Sequence, residues 1–356
     1  MAHHQEDSNT LPEATTASLT IPVVDFSLYS SDPSECARQI GEASQNIGFF
    51  YLKNHGVPQD LIDRMFNCSE RFFQQPLQNK SKHLIGPHNI GYSPLESETL
   101  DPEHQTQGDL KDYPADADGR TLIDRAYNVR KYSIQDDSTV YFTLGDEAER
   151  DKVGVFFKEL HRLAKDIMQC FAIALQVPES TGGRHFFDKR HGWDAHSGTT
   201  LRFLHYPQQS GDPKTPLAGS HTDYGSITLL MQKDIAGLEV QASRIHKDVP
   251  WVSAPVIPDT ILINIADHLQ MWTNGLLKST MHRVVYNPQQ LHHSRYSIAC
   301  FIHANDDTRL EPIPSPLITQ EMRAEGVEFE EGRNMTAGEY LGWRLNRSYN
   351  YSVKSV

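Results

Sequence analysis

The chain has no long apolar run. Nothing in its 356 residues approaches the roughly 20 consecutive apolar positions that a helix needs to span a bilayer. Cysteine is scarce: Cys36, Cys68, Cys170 and Cys300 are far apart in sequence and lack the spacing of a zinc site. They read as reduced core thiols, and the expected location is cytoplasmic. Positive charge is also in short supply. Against 46 Asp and Glu there are 33 Lys and Arg, a formal net charge of −13. That balance argues against nucleic acid and against an anionic membrane as partners. The stretch from Met1 to Leu19 is polar and acidic, without the basic-then-apolar pattern of a signal peptide.

What remains is an ordinary globular composition, long enough for one large domain or two modest ones. Residues 1–18 read as a disordered tail, and 19–356 as a single domain in three parts. The first part, 19–195, holds helical patterns over 33–46, 59–73 and 147–175, with short strands near 21–26 and 48–56. In the longest helix, Val153, Phe156, Phe157, Leu160, Leu163 and Ile167 fall at helical spacing and read as a core stripe. Between these helices, 81–145 is rich in Gly, Pro, Asp and Tyr and has little periodicity, as expected of a lid or site-lining segment. The second part, 196–305, changes character. Short β-rich runs appear at 201–206, 226–231, 238–241, 260–265, 282–286 and 296–303, separated by turn residues. The third part, 306–356, ends in a closing helix near 337–349. The expected class is mainly β with flanking helices, around a double-stranded β-helix (jelly-roll) core.

One short pattern carries chemistry. In His221-Thr222-Asp223 an imidazole and a carboxylate stand two residues apart at the mouth of an apolar, strand-like run. Side chains at i and i+2 of a strand leave the same face, so both can point into one cavity. Together they can supply two thirds of a 2-His-1-carboxylate triad, which holds non-haem Fe(II) with positions left open. The pattern alone proves little. Eighteen histidines and 46 acidic residues in 356 positions yield about two His-x-Asp/Glu patterns by chance. Two others occur, His4-x-Glu6 in the polar tail and His246-x-Asp248 in a charged connection. Only His221-x-Asp223 opens an apolar run.

A third candidate ligand, His282, lies 59 residues beyond Asp223 and again heads an apolar run. Thirteen residues further on, Arg295 and Ser297 would share one strand face. A guanidinium beside a hydroxyl suits a carboxylate, with the arginine binding it through two bonds.

These motifs, with Ile21–Phe26 and Gly48–Gly56, resemble the isopenicillin N synthase-like branch of the Fe(II)/2-oxoglutarate-dependent oxygenases, in order and over nearly the whole chain. The run Leu201-Arg202-Phe203-Leu204-His205-Tyr206-Pro207 is most similar to fungal members. The resemblance implies that His221, Asp223 and His282 bind Fe(II). It implies that Arg295 and Ser297 hold the distal carboxylate of 2-oxoglutarate, with Tyr206 adding a hydroxyl. It implies consumption of O2, release of succinate and CO2, and hydroxylation, desaturation or cyclisation of a small molecule, as in secondary metabolism.

A monomer or weak homodimer is expected, without nucleic acid or membrane partners. Tyr92, Tyr127 and Arg130 of the irregular segment, together with Thr199 and Phe301, are the candidate substrate contacts. His205, His268, His292 and His293 read as structural, the first turned away from Tyr206 and the others in turns or loops. Two departures from the family pattern stand out. Leu204 occupies a position that is often Asn in plant members, and Asn264-Ile265-Ala266-Asp267 replaces a frequent Asn-x-Gly-Asp turn, a change that reads as structural. Two rival readings are an oxidase of the same branch that uses no 2-oxoglutarate, and a non-catalytic jelly-roll binding protein.

Overall fold

The computed structural model describes residues 20–86, 89–94, 124–131, 134, 137–208, 216–241, 250–319, 321–322, 332 and 334–349. The expected tail, 1–18, and the decoy patterns at His4 and His246 lie outside these residues.

Among the described residues, twelve strands form two sheets. They are β1 (Val23–Asp25), β2 (Phe49–Lys53), β3 (Gly91–Pro94), β4 (Asp124–Arg130), β5 (Thr200–Tyr206) and β6 (Pro216–His221), then β7 (Ile227–Lys233), β8 (Leu238–Gln241), β9 (Trp251–Ala254), β10 (Thr260–Ile265), β11 (Met281–Val285) and β12 (Arg295–Ile302). The large sheet runs β1-β2-β10-β7-β12-β5-β4-β3, and the small one β6-β11-β8-β9. Among the strands of the described residues, β1 and β2 pair in parallel and the other ladders are antiparallel. The sheets face each other as a jelly roll.

Five helices matter to the argument: α1 (Pro33–Asn46), α2 (Gln59–Phe73), α3 (Glu147–Ala174), α4 (Asp267–Trp272) and α5 (Ala337–Tyr349). Side-chain caps start α1 and α3, where Asp32 accepts from the Glu35 amide and Asp146 from the Glu149 amide. The α3 stripe predicted from spacing is fully buried, and it packs in one cluster with the outer face of the large sheet. Burying each of Phe156 and Phe157 contributes roughly 1.5–3 kcal/mol.

Strand alternation divides that sheet into two faces. From β5, Leu201 and Phe203 join the helices, as do Ile298, Cys300 and Ile302 from β12. Their neighbours Leu204, Tyr206, Arg295 and Ser297 turn inward, toward the small sheet. A second core lies between the sheets, built from Phe49, Tyr51, Tyr206, Leu217, Leu238, Val240, Leu262 and Val284.

The segment expected to be irregular contains two strands. β3 pairs with β4, and β4 with β5, which places Tyr92 opposite Tyr127 and Tyr127 opposite Phe203. Both tyrosines are fully buried on the helix side, where Phe72 meets Tyr127 at 4.7 Å and Tyr92 at 6.2 Å between ring centres. Residues 95–123 of the expected lid lie outside the described residues. The four cysteines are free and buried as expected, but the fold brings Cys36 and Cys170 to 3.8 Å of each other. His268, expected in a loop, sits fully buried on α4.

Candidate active site

His221 closes β6 and His282 stands in β11, directly across the ladder from it. Their rings lie 4.3 Å apart between centres. Asp223 is not in a strand but in the connection that leads to β7, so the loop, not strand alternation, turns it toward the histidines. Its Oδ1 lies 3.8 Å from His221 Nε2 and 3.6 Å from His282 Nε2. The three ligand atoms are within 4.8 Å of one another, and no other such His/Cys/Asp/Glu group occurs among the described residues.

Neighbouring groups prepare each ligand. A carbonyl oxygen can only accept, so His221 Nδ1 donates to Gly219 O at 2.7 Å and His282 Nδ1 to Thr280 O at 3.1 Å. Both Nε2 atoms then face the centre and, once deprotonated, can bind a metal. Asp223 Oδ2 accepts from Thr228 Oγ1 at 2.6 Å and from Asn264 Nδ2 at 2.8 Å, which leaves Oδ1 for the centre. Burial by itself would raise the Asp223 carboxyl, but the charges of His282 and His221 and the Thr228 hydroxyl hold it below its usual range. Burial would likewise lower His282, yet Asp223 raises it. A carboxylate and two imidazoles this close, with nitrogen lone pairs converging, fit a divalent cation of the Fe(II) type.

A cavity of about 140 Å³ runs past this cluster along β5 and β12. Its floor is a ladder of facing pairs: Arg295 with Tyr206, Ser297 with Leu204, Ala299 with Arg202, Phe301 with Thr200. At one end Arg295 is 1% exposed. Its guanidinium donates to Gln232 Oε1 at 3.2 Å and to Ser297 Oγ at 3.5 Å, and lies over the Tyr206 ring at 5.1 Å. Its Nε has no hydrogen-bond partner, and no acidic side chain pairs with it among the described residues. Burial lowers its pKa from the usual value. A buried cation with neutral neighbours calls for an anion, and a carboxylate fits this fork.

Of the other expected residues, only Phe301 lines the cavity. Tyr92 and Tyr127 face the helices. Arg130 is buried and donates to Ser197 O at 3.1 Å. The Thr199 hydroxyl is tied to the backbone of His303. Alternation puts Thr200 on the cavity face in place of Thr199, and counting back by twos from Tyr206 reaches Leu204, Arg202 and Thr200. That signal was available in the sequence. His205 does turn away, stacking on Tyr296 at 4.6 Å. Asn264, read only as part of a turn, holds the metal-site carboxylate. Nothing in the sequence pointed to the wall formed by Leu341, Leu345 and Ser348 of α5.

Comparison with known proteins agrees with this geometry. Residues 21–116 match the family described as non-haem dioxygenase in morphine synthesis N-terminal, and 197–304 match the 2OG-Fe(II) oxygenase superfamily. A UPF0676 protein of Schizosaccharomyces pombe is 34% identical over 341 residues, covering 94% of this chain and 95% of its own. A 2-oxoglutarate-dependent dioxygenase of Monascus ruber is 30% identical over 355 residues, covering 97% of this chain and all of its own. A full-length Neurospora crassa protein, solved in complex with α-ketoglutarate and thymine, is 28% identical, with a TM-score of 0.71, covering 93% of this chain and 98% of that one. The His/Asp cluster, the buried Arg295, the matched domains and the near full-length relatives converge: the chain belongs to the Fe(II)- and 2-oxoglutarate-dependent oxygenases.

Proposed function

We propose that His221, Asp223 and His282 hold the Fe(II) that this family uses, and that Arg295, Ser297 and Tyr206 hold the distal carboxylate of 2-oxoglutarate. The observation that carries the reading is the buried Arg295 guanidinium, with no acidic partner among the described residues, in the same cavity as the cluster. Fe(II) held there would supply, with O2 and 2-oxoglutarate, the oxidising power for C–H oxidation of a substrate, with succinate and CO2 as co-products. The protein's part is position. The two Nδ1 bonds fix the imidazoles, Asn264 and Thr228 fix the carboxylate, and Arg295 sets the reach of the co-substrate along the ladder.

The far end of the cavity receives the substrate in this reading. Its lining there includes Asn89, Thr200, Arg202 and Phe301. Amide, hydroxyl and guanidinium groups beside a phenyl ring suit a small, flat molecule that carries carbonyl oxygens. Thymine and 5-formyluracil, found in the Neurospora crassa structures, have that chemistry.

Succinate release under substrate screening tests the function, with mass analysis of the product. A gain of one oxygen means hydroxylation, and a loss of two hydrogens means desaturation or ring closure. Arg295→Ala tests the anchor. It leaves the co-substrate carboxylate unpaired, a cost of roughly 3–5 kcal/mol, so the KM for 2-oxoglutarate should rise by at least about 100-fold. An unchanged KM would overturn the assignment.

A further inference from the structure

Asp267 is fully buried and joins four parts of the molecule. Its backbone amide donates to Asp223 O at 3.0 Å. Its Oδ2 accepts from Thr222, which stands between two of the ligand candidates, at 3.4 Å. Its Oδ1 accepts from Ser279, three residues before His282, at 2.7 Å. Oδ2 also takes Tyr340 OH at 2.7 Å and Arg344 Nη1 at 2.6 Å, both from α5. One carboxylate therefore touches the segments that carry all three ligand candidates and, at the same time, the C-terminal helix.

That helix is a wall of the cavity. Leu341, Leu345 and Ser348 line it, from the same helix that offers Tyr340 and Arg344 to Asp267. Tyr224, next to Asp223, completes the junction. Its hydroxyl and that of Ser348 are 2.6 Å apart, and the Arg344 guanidinium lies 4.1 Å from its ring centre. Arg295 lies at the other end, where its neighbours are Gln232, Ser297 and Tyr206 of the large sheet.

We infer that α5 forms the substrate wall of the cavity, and that Asp267 and Arg344 are positioning residues that register this wall to the metal-site loop. The inference rests on the assignment of the far end of the cavity to substrate. A buried ion pair is sensitive to geometry, because removing one partner leaves the other charge uncompensated. It can therefore hold two elements in one register where apolar contact would let them slide. With the register intact, bound substrate sits at the iron, and each 2-oxoglutarate consumed yields one product. With the register lost, 2-oxoglutarate still binds and is still decarboxylated, but less product forms per succinate.

The test uses the full chain loaded with Fe(II) and compares three forms. Arg344→Met removes the charge at similar length. The double variant Asp267→Asn with Arg344→Met removes both charges together and so avoids a lone buried carboxylate, which keeps the test alive if the single variant fails to fold. Leu345→Ala changes the wall and leaves the ion pair alone.

Two readouts separate the ends of the cavity. The visible absorption band of the Fe(II)–2-oxoglutarate complex, titrated without oxygen, reports the co-substrate end. Substrate KM and the ratio of product to succinate report the wall. The charge variants should keep the 2-oxoglutarate titration midpoint within about twofold, while substrate KM rises about tenfold or more and the product-to-succinate ratio falls. Leu345→Ala should shift substrate KM with the ratio less affected.

Folded charge variants with an unchanged ratio and KM would overturn the inference. So would a 2-oxoglutarate midpoint weakened as much as substrate affinity, since that would mean general loss of the site. A wild-type chain that forms the absorption band yet shows no substrate-stimulated succinate would instead strike the reading of the far end on which the inference rests.

Discussion

Asp223 shows how single residues shape the site. Thr228 and Asn264 occupy one of its oxygens, so the other faces both imidazoles. Hydrogen-bond partners of a metal-binding carboxylate typically affect metal affinity by 10–100-fold. Asn264→Ala should weaken Fe(II) binding by about that factor while leaving 2-oxoglutarate affinity at saturating iron nearly unchanged. An anaerobic Fe(II) titration checks it. The six residues proposed to hold iron and 2-oxoglutarate stand out in the sequence by type and order, His-x-Asp, a later His, then Arg-x-Ser, with Tyr206 in the run before them, and the structure gathers all six around one cavity. Asn264 was visible but misread, since a turn motif does not reveal which oxygen its side chain will meet 41 residues away in sequence. Of the candidate substrate contacts, Phe301 lines the cavity, whereas Tyr92 and Tyr127 lie away from it. Tyr92 and Tyr127 sit in a stretch that looks irregular in sequence, and long-range strand pairing turns both into the core.

At the scale of elements, local periodicity was reliable and pairing was not. α1, α2 and α5 begin and end where the sequence pattern predicts, as do β8 and β10. β3 and β4 escaped because Gly, Pro and Asp mask a strand whose partner lies more than 30 residues away. The α3 stripe is a contact of helix with sheet. Phe157 is fully buried there, edge-on to Trp193 at 5.7 Å between ring centres. Phe157→Ala should lower unfolding stability by roughly 3–5 kcal/mol through lost burial and the cavity left behind. Urea denaturation at neutral pH measures this, and folded protein should still bind 2-oxoglutarate, because the stripe lies on the face of the sheet away from the cavity.

For the molecule as a whole, acid should act through buried neutral histidines. His191 donates from Nδ1 to Phe187 O at 2.9 Å, so its Nε2 accepts from Ser226 Oγ at 2.8 Å. Burial pushes both His191 and His268 down to about 3. In the unfolded chain each would titrate near its ordinary value of about 6.5. Between these values the unfolded state binds a proton that the folded state refuses. Stability is therefore full above about pH 6.5 and declines as pH falls toward 3, by about 1.4 kcal/mol per pH unit for each such histidine. Denaturant midpoints taken in steps from pH 7.5 to about 4.5 follow this limb. His191→Gln should make it shallower by one proton's slope.

The two-faced register of β5 and β12 has a consequence for how such a chain can change. Thr200, Arg202, Ala299 and Phe301 alternate with Leu201, Phe203, Ile298 and Cys300, and the two sets look to opposite sides of one sheet. A codon change at the first set alters what the cavity admits, whereas a neighbouring codon alters whether the chain folds. A combinatorial library confined to Thr200, Arg202, Ala299 and Phe301 should therefore yield a larger folded fraction than one confined to Leu201, Phe203, Ile298 and Cys300.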